Sequence, residues 1–207
     1  PEAAASYYVE NGYPKEGVLA YLLNIANSNF YDWRIENPTV SPWEFNLKIE
    51  KFNKAGALFD IQKLDDTCKD YLATLSAEEV YNMALEWSRD FDKEVYELLI
   101  NNKEYCISIL NIERVGEKIR KDIVKFKDVK DQLRIFFDNL LDSPEDISEK
   151  IPVGIQVNIL NKYLEVFSLD VSSSDEWFDV VKDVAKNLNI ERVGDVAMVL
   201  RVGVTHR

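Results

Sequence analysis

The sequence contains few of the residues from which metal sites and nucleophilic active sites are built. Its one histidine, His206, is the second-last residue, and its two cysteines, Cys68 and Cys106, lie far apart in the chain. No Cys/His metal site and no histidine-based catalytic triad can be assembled from them. Two isolated cysteines favour reduced, buried thiols over a disulfide, which is typical of a cytoplasmic protein. We therefore expect no metal ion, no catalytic residue and a cytoplasmic location.

Glycine and proline are also scarce, with 7 and 6 among 207 residues. This scarcity argues against a turn-rich β-sandwich and favours helices. The glycines are isolated, so the sequence has no glycine-rich phosphate loop. No apolar run is long enough to cross a bilayer and no charged-then-apolar leader opens the chain, so we expect no membrane contact. The chain starts with Pro1 instead of methionine, which suggests a piece of a longer protein.

Helical patterning is abundant. With 46% hydrophobic and 30% charged residues, the chain can bury a core. A serine followed three positions later by glutamate, a signature of helix N-termini, occurs at Ser41, Ser76 and Ser173. Apolar residues then recur at spacings of three and four, and strict alternation is nearly absent. We predict an all-α fold of helical bundles, with helices beginning at these serines and others over residues 14–26, 60–74, 92–100, 103–111, 127–141, 153–167 and 191–201.

Acidic residues outnumber basic ones, 37 to 25, which gives a formal net charge of −12. An evenly mixed surface of that sign would repel nucleic acid and anionic membranes. The net negative charge is concentrated in residues 1–100, however, where 18 acids face only 9 bases. Residues 112–134, in contrast, hold eight bases and five acids. Bases gathered on one face bind a phosphate backbone because each neutralised phosphate releases a counterion. Charge alone favours a simpler alternative, a solvated amphipathic helix pair with internal ion pairs such as Glu117 with Lys121.

Three blocks of sequence resemble one family, in the right order and across the whole chain. Residues 1–22 hold a Gly-Tyr-Pro turn and end in a Tyr-Leu pair, residues 57–64 read Ala-Leu-Phe-Asp-Ile-Gln-Lys-Leu, and residues 193–205 contain a Leu-Arg pair between Met198 and Thr205. Together they resemble the post-catalytic, C-terminal region of bacterial glutamyl-tRNA synthetases, which are class I aminoacyl-tRNA synthetases. The segment 27–45 is longer and more aromatic than the family pattern, which suggests a divergent bacterial branch.

The resemblance implies which part of the enzyme this chain represents. In the family, a Rossmann-type catalytic domain carries two ATP-binding signatures, and neither occurs in this sequence. That domain uses ATP and Mg²⁺ to activate glutamate and then ligates it to tRNA(Glu). The resemblance therefore implies a chain that holds no cofactor and is inactive alone. Its implied partners are tRNA(Glu) and its own N-terminal Rossmann catalytic domain, and DNA is not among them.

The resemblance also implies three regions in the chain. Residues 1–75 would form a helical stem-contact region, residues 76–142 a first anticodon-binding bundle, and residues 147–207 a second, C-terminal one. The polar stretch 142–146, which contains a proline, reads as the linker between the two bundles. The family continues with a further helix after the Leu-Arg block, so a truncated last bundle is expected.

The candidate site residues follow from the charge and the resemblance together. Residues 112–134, which we call the basic window, fall where the resemblance puts the first anticodon-binding bundle. We predict that six basic residues of this window and one arginine near the C-terminus contact phosphates or nucleobases of the tRNA. They are Arg114, Lys118, Arg120, Lys121, Lys125, Lys127 and Arg201. For Arg201, a buried ion pair with an acid such as Asp195 is an equally good interpretation. The alternative function is a non-catalytic acidic helical module that binds a basic protein partner.

Overall fold

The structure, a computed structural model, describes residues 3–52, 56, 58–116, 119–171 and 173–207. Within these residues it contains no β-sheet, and one isolated β-bridge joins Asn27 and Phe52. The predicted all-α fold is confirmed. The α-helices of the described residues are α1 (Ala5–Glu10), α2 (Lys15–Ala26), α3 (Phe30–Glu36), α4 (Ile61–Thr74), α5 (Ala77–Phe91), α6 (Lys93–Asn101), α7 (Lys103–Leu110), α8 (Val129–Leu133), α9 (Val153–Val166), α10 (Ser174–Asn187) and α11 (Val193–Thr205).

Local capping chemistry explains where two of the predicted helices begin. Ser76 forms a complete capping box, in which its hydroxyl accepts from the Glu79 N–H while the Glu79 carboxylate accepts from the Ser76 N–H at 2.8 Å. These bonds satisfy N–H groups that a helix start leaves without partners. Ser173 likewise accepts from the Glu176 N–H at 3.2 Å. Both helix starts predicted from the sequence are confirmed.

Two other predicted helices are much shorter than expected. Ser41 starts only a single 3₁₀ turn, Pro42–Glu44, after which Phe45 turns extended and packs its ring 5.1 Å from that of Phe30. The helix predicted over 127–141 is limited to α8, flanked by the 3₁₀ turns Phe126–Asp128, Arg134–Phe136 and Asp138–Leu140. In the first case aromatic packing draws the chain out of the helix. In the second, the Asp138-Asn139 pair favours turns over helix.

The chain divides into two compact units, Pro1–Leu133 (unit 1) and Arg134–Arg207 (unit 2). In unit 1, α2 packs along α4, and α5 packs against α6 and α7. In unit 2, α9, α10 and α11 pack pairwise around a core that includes Ile159, Val181 and Leu200. The three-region division predicted from the sequence remains a prediction.

The two cysteines are free and fully buried, as the sequence predicted. Burial raises the pKa of the Cys68 thiol to about 12 and that of the Cys106 thiol to about 11. Both are therefore neutral, packed side chains. In the described parts of the chain, no helix is long and apolar enough to cross a membrane, and no group of potential ligands is arranged to hold a metal ion.

Gly17 allows the close approach of α2 to α4, and its replacement should destabilise unit 1. A Cβ at this position would lie 2.8 Å from the Cys68 Sγ and 3.0 Å from the Cys68 Cα. Because a short side chain and backbone must give way, we expect Gly17→Ala to lower the free energy of unfolding by about 2 kcal/mol in urea denaturation. A matched control is Gly154→Ala in α9, where a Cβ would meet nothing within 4 Å. Equal stability of the two variants would contradict the tight α2–α4 packing.

Candidate nucleic-acid interface

The basic window does not form the amphipathic helix pair that its apolar spacing suggested. Among its described residues, none before Phe126 is helical. Glu113 and Gly116 have φ angles of 55° and 119°, which a right-handed helix cannot contain. The helical-pair interpretation is therefore wrong for the described part of this segment. Lys118, a predicted site residue, lies outside the described residues together with Glu117.

Arg114 is used inside unit 1. Its side chain is buried, and its guanidinium donates to three backbone carbonyls, those of Leu110 at 3.0 Å, Leu72 at 2.8 Å and Leu75 at 3.1 Å. These carbonyls lie at the C-terminal ends of α7 and α4, where a positive charge offsets the negative end of the helix dipole. Burial lowers the pKa of Arg114 below its usual value. Since these donors point into the protein, we leave Arg114 out of the candidate RNA surface.

Arg120 and Lys121 lie nearer the surface and are paired with acids. Arg120 donates to the carboxylate of Asp122 at 2.5 Å and to the side-chain oxygen of Gln132. Lys121 donates to Asp70 of α4 at 2.9 Å, and its side chain is 53% exposed. Exposed pairs of this kind contribute at most about 1 kcal/mol. Lys121 can therefore exchange its partner, the Asp70 carboxylate, for a phosphate at little cost. Arg120 is held more firmly, because it has two partners.

Lys125 and Lys127 are held at the surface by the turn between α1 and α2. The Phe126 N–H between them donates to the Gly12 carbonyl at 2.8 Å. The Lys125 ammonium lies 4.9 Å from the centre of the Tyr13 ring, a cation–π distance. Lys127 is exposed and forms no salt bridge with any residue that the structure describes. This three-residue segment thus presents two cations on an anchored backbone.

Gly12 makes this anchoring possible. Its φ of 78° lies in the left-handed region that favours glycine, and a Cβ there would lie 3.0 Å from Trp87 and 3.1 Å from the Phe126 nitrogen. Tyr13, the next residue, is fixed in turn by donating its hydroxyl proton to Asp65 of α4 at 2.7 Å. Burial and this bond to a carboxylate raise the Tyr13 pKa, so the phenol stays protonated. The charge pattern alone did not point to this turn, although the Gly-Tyr-Pro block marked it in the sequence.

The Phe-Asp-x-x-Lys-Leu block has a structural role. Asp60 caps α4 by accepting from the N–H groups of Gln62 and Lys63 at 3.0 and 3.4 Å. The Asp60 N–H donates to the Tyr21 hydroxyl at 2.7 Å, and Phe59 packs edge-on against the Tyr21 ring. The block therefore joins the start of α4 to α2. Ala57, with which the resembling stretch 57–64 begins, lies outside the described residues.

Arg201 lies on α11 in unit 2. It is exposed and forms no ion pair with the described residues, Asp195 included. The alternative of a buried Arg201–Asp195 pair is therefore wrong. The side chain is accessible to a large ligand such as RNA.

Comparison with known proteins gives three informative relatives, each named glutamate–tRNA ligase. The chain is 38% identical to that of Clostridium beijerinckii over 227 aligned positions, which cover 100% of this chain and 41% of the relative. It is 38% identical to that of Sorangium cellulosum, with 99% of this chain and 38% of the relative covered. It is 32% identical to that of Acetivibrio thermocellus, with 100% of this chain and 40% of the relative covered. No family model matches the sequence.

The matches run along the whole chain but cover only part of each relative. The chain spans about two fifths of the length of these curated relatives. They confirm the resemblance to the C-terminal region of glutamyl-tRNA synthetases.

Proposed function

We propose that this chain, as the C-terminal region of a glutamyl-tRNA synthetase, docks the stem and anticodon of tRNA(Glu). The parent enzyme would ligate glutamate to that tRNA, and its N-terminal Rossmann catalytic domain would supply the chemistry with ATP and Mg²⁺. The observation that carries the proposal is the anchored Lys125–Lys127 segment. It presents cations at a fixed place on a chain of net charge −12.

Anchored cations suit the docking of a folded RNA. Phosphate contacts supply most of the affinity and fix the register, and they cost less when the backbone that carries the lysines is already ordered. Lys121 contacts Asp70 of α4, and Lys125 lies over Tyr13, whose hydroxyl donates to Asp65 of the same helix. The proposed contacts in unit 1 are therefore Lys121, Lys125 and Lys127, with Arg120 at their margin.

Arg201 is the proposed contact in unit 2. Unpaired anticodon bases can be splayed out and read on their edges by an arginine, which paired A-form RNA does not allow. An exposed guanidinium without an acidic partner keeps its planar set of donors available for such a base or for a phosphate. Lys118 remains a prediction from the sequence.

Salt dependence tests the proposal directly. We expect filter binding of the 207-residue chain to a tRNA(Glu) transcript to weaken linearly on a log–log plot of affinity against salt. The expected slope is about −3, because three or four phosphate contacts each contribute about −0.7 to −0.9. A transcript for an unrelated amino acid serves as the control for anticodon reading. Absent or salt-insensitive binding would exclude tRNA docking and favour the acidic protein-interaction module.

A further inference from the structure

The outer face of α5 carries an apolar groove beside the anchored Lys125–Lys127 segment, whose Phe126 lines it. The buried face of α5 includes Val80, Tyr81 and Ala84. A second apolar stripe, Met83, Trp87 and Phe91, follows at intervals of four residues and therefore lies on one side of the helix. Together with Val9 and Phe126 it lines a groove of about 600 Å³, which we call the α5 groove.

The floor of the α5 groove is fixed but open. Trp87 donates its ring N–H to the Val9 carbonyl at 2.9 Å, and its ring stacks on that of Phe91 with 6.0 Å between centres. Even so, Phe91 is 45% exposed and Val9 is 54% exposed. Rigid apolar side chains left open in this way favour an apolar partner surface, since covering them removes area from water without a large ordering cost.

The rim of the α5 groove is acidic. Glu79, Glu86 and Asp90 follow one another along α5, and Lys15 and the mostly buried Glu16 of α2 also line the groove. The capping box lowers the pKa of Glu79 and so keeps that carboxylate ionised. Glu86 forms no salt bridge with the described residues, although Asp90 lies 3.4 Å from the Nε of Arg89 and Glu16 lies 3.8 Å from the Lys15 ammonium. The rim therefore keeps a net negative charge.

We propose that the α5 groove binds a cationic amphipathic helix of a protein partner. The open floor would take its apolar side chains, and the rim would take lysines or arginines flanking them. From Glu79 to Phe91 the groove runs along about 18 Å of α5, enough for about three turns of a partner helix. Anionic RNA does not fit this surface, because the rim would repel phosphates. The groove adjoins the proposed tRNA contacts, because Phe126, which lines it, stands between Lys125 and Lys127 in the sequence. Charge reversal of Glu86 and Asp90 leaves those lysines unchanged, so the two proposals are tested by different variants.

The test uses a fluorescein-labelled peptide of about 14 residues, with leucines at helical spacings of three and four and lysines elsewhere, titrated with the 207-residue chain. We expect Glu86→Lys with Asp90→Lys to weaken binding at least about tenfold in fluorescence anisotropy. The matched control is Asp179→Lys with Asp183→Lys on α10. It has the same spacing and charge change, and one of its acids likewise has a basic neighbour, Lys182. This control should alter binding less than about twofold.

The apolar part of the proposal has its own variant and probes. Phe91→Ser, at the exposed end of α5, should weaken binding of the Leu/Lys peptide about fivefold and leave the helix content unchanged. A peptide with serine in place of every leucine should not bind. Equal weakening by both charge reversals, or tight binding of the serine peptide, would reduce the effect to general charge attraction and overturn the proposal. Two results together would identify RNA as the occupant instead: tRNA displaces the peptide from the groove, and the Glu86→Lys/Asp90→Lys variant binds tRNA more tightly than the unchanged chain does.

Discussion

Replacing Lys125 and Lys127 together with glutamate should weaken tRNA binding by about 100-fold at 0.1 M salt. Each substitution removes a cation from a phosphate contact and places an anion there. The affinity therefore falls through lost attraction and through new repulsion. The corresponding change to glutamine should remove only the attraction and lower the salt slope by about one for each lysine. Filter binding across a salt series measures both quantities in one experiment.

Lys127 makes this experiment interpretable. Lys125 packs on Tyr13, so its replacement also removes a cation–π contact. Lys127 has no salt bridge within the described chain, and Lys127→Glu alone therefore changes charge without breaking a known contact. Lys182→Glu with Lys186→Glu on α10 gives the same change in net charge elsewhere. If that control weakens tRNA binding as strongly, the affinity reflects overall charge and the anchored segment has no special role.

Replacing Arg114 with methionine should lower the free energy of unfolding of unit 1 by about 4 kcal/mol. Methionine fills a similar volume but donates nothing to the carbonyls of Leu72, Leu75 and Leu110, which lose their guanidinium donors. The Leu72 carbonyl keeps one backbone donor, the Leu75 N–H at 3.3 Å. The ends of α4 and α7 also lose the charge that offsets their dipoles. Urea denaturation followed by circular dichroism measures the change.

The same variant separates a structural role from an RNA contact. Where Arg114→Met is still folded, its tRNA affinity and salt slope should match those of the unchanged chain. For the stability measurement alone, Arg120→Met is the control, because the partly exposed Arg120–Asp122 pair should contribute less than about 1 kcal/mol. A stable Arg114→Met protein with a reduced salt slope would instead restore Arg114 to the RNA surface.

The sequence predicted best those elements whose causes are local. The capping signals at Ser76 and Ser173 act within four residues, so the starts of α5 and α10 could be read directly. The signal at Ser41 failed because ring packing between Phe45 and Phe30, 15 positions apart, overrides it. Local chemistry therefore decides a helix start only where no tertiary contact competes.

The candidate site was less accessible to prediction because its geometry depends on distant pairings. The helical spacing of apolar residues in the basic window was misleading, since Glu113 and Gly116 interrupt the helix and the Gly12 carbonyl holds Phe126. Burial of Arg114 requires the ends of α4 and α7 to meet, which no spacing in the sequence reveals. The family resemblance directed attention to the basic window as a whole, but only the fold distinguishes the interior arginine from the lysines at the surface.

The placement of the two buried thiols makes the opening of one unit chemically observable. Cys68, against Gly17, and Cys106, in α7, both belong to unit 1, and residues 134–207 contain no cysteine. A thiol reagent can reach either sulfur only when the helices around it separate. Labelling rates under native conditions therefore follow the fluctuations of α4 and α7 alone, while unit 2 remains invisible to the reagent.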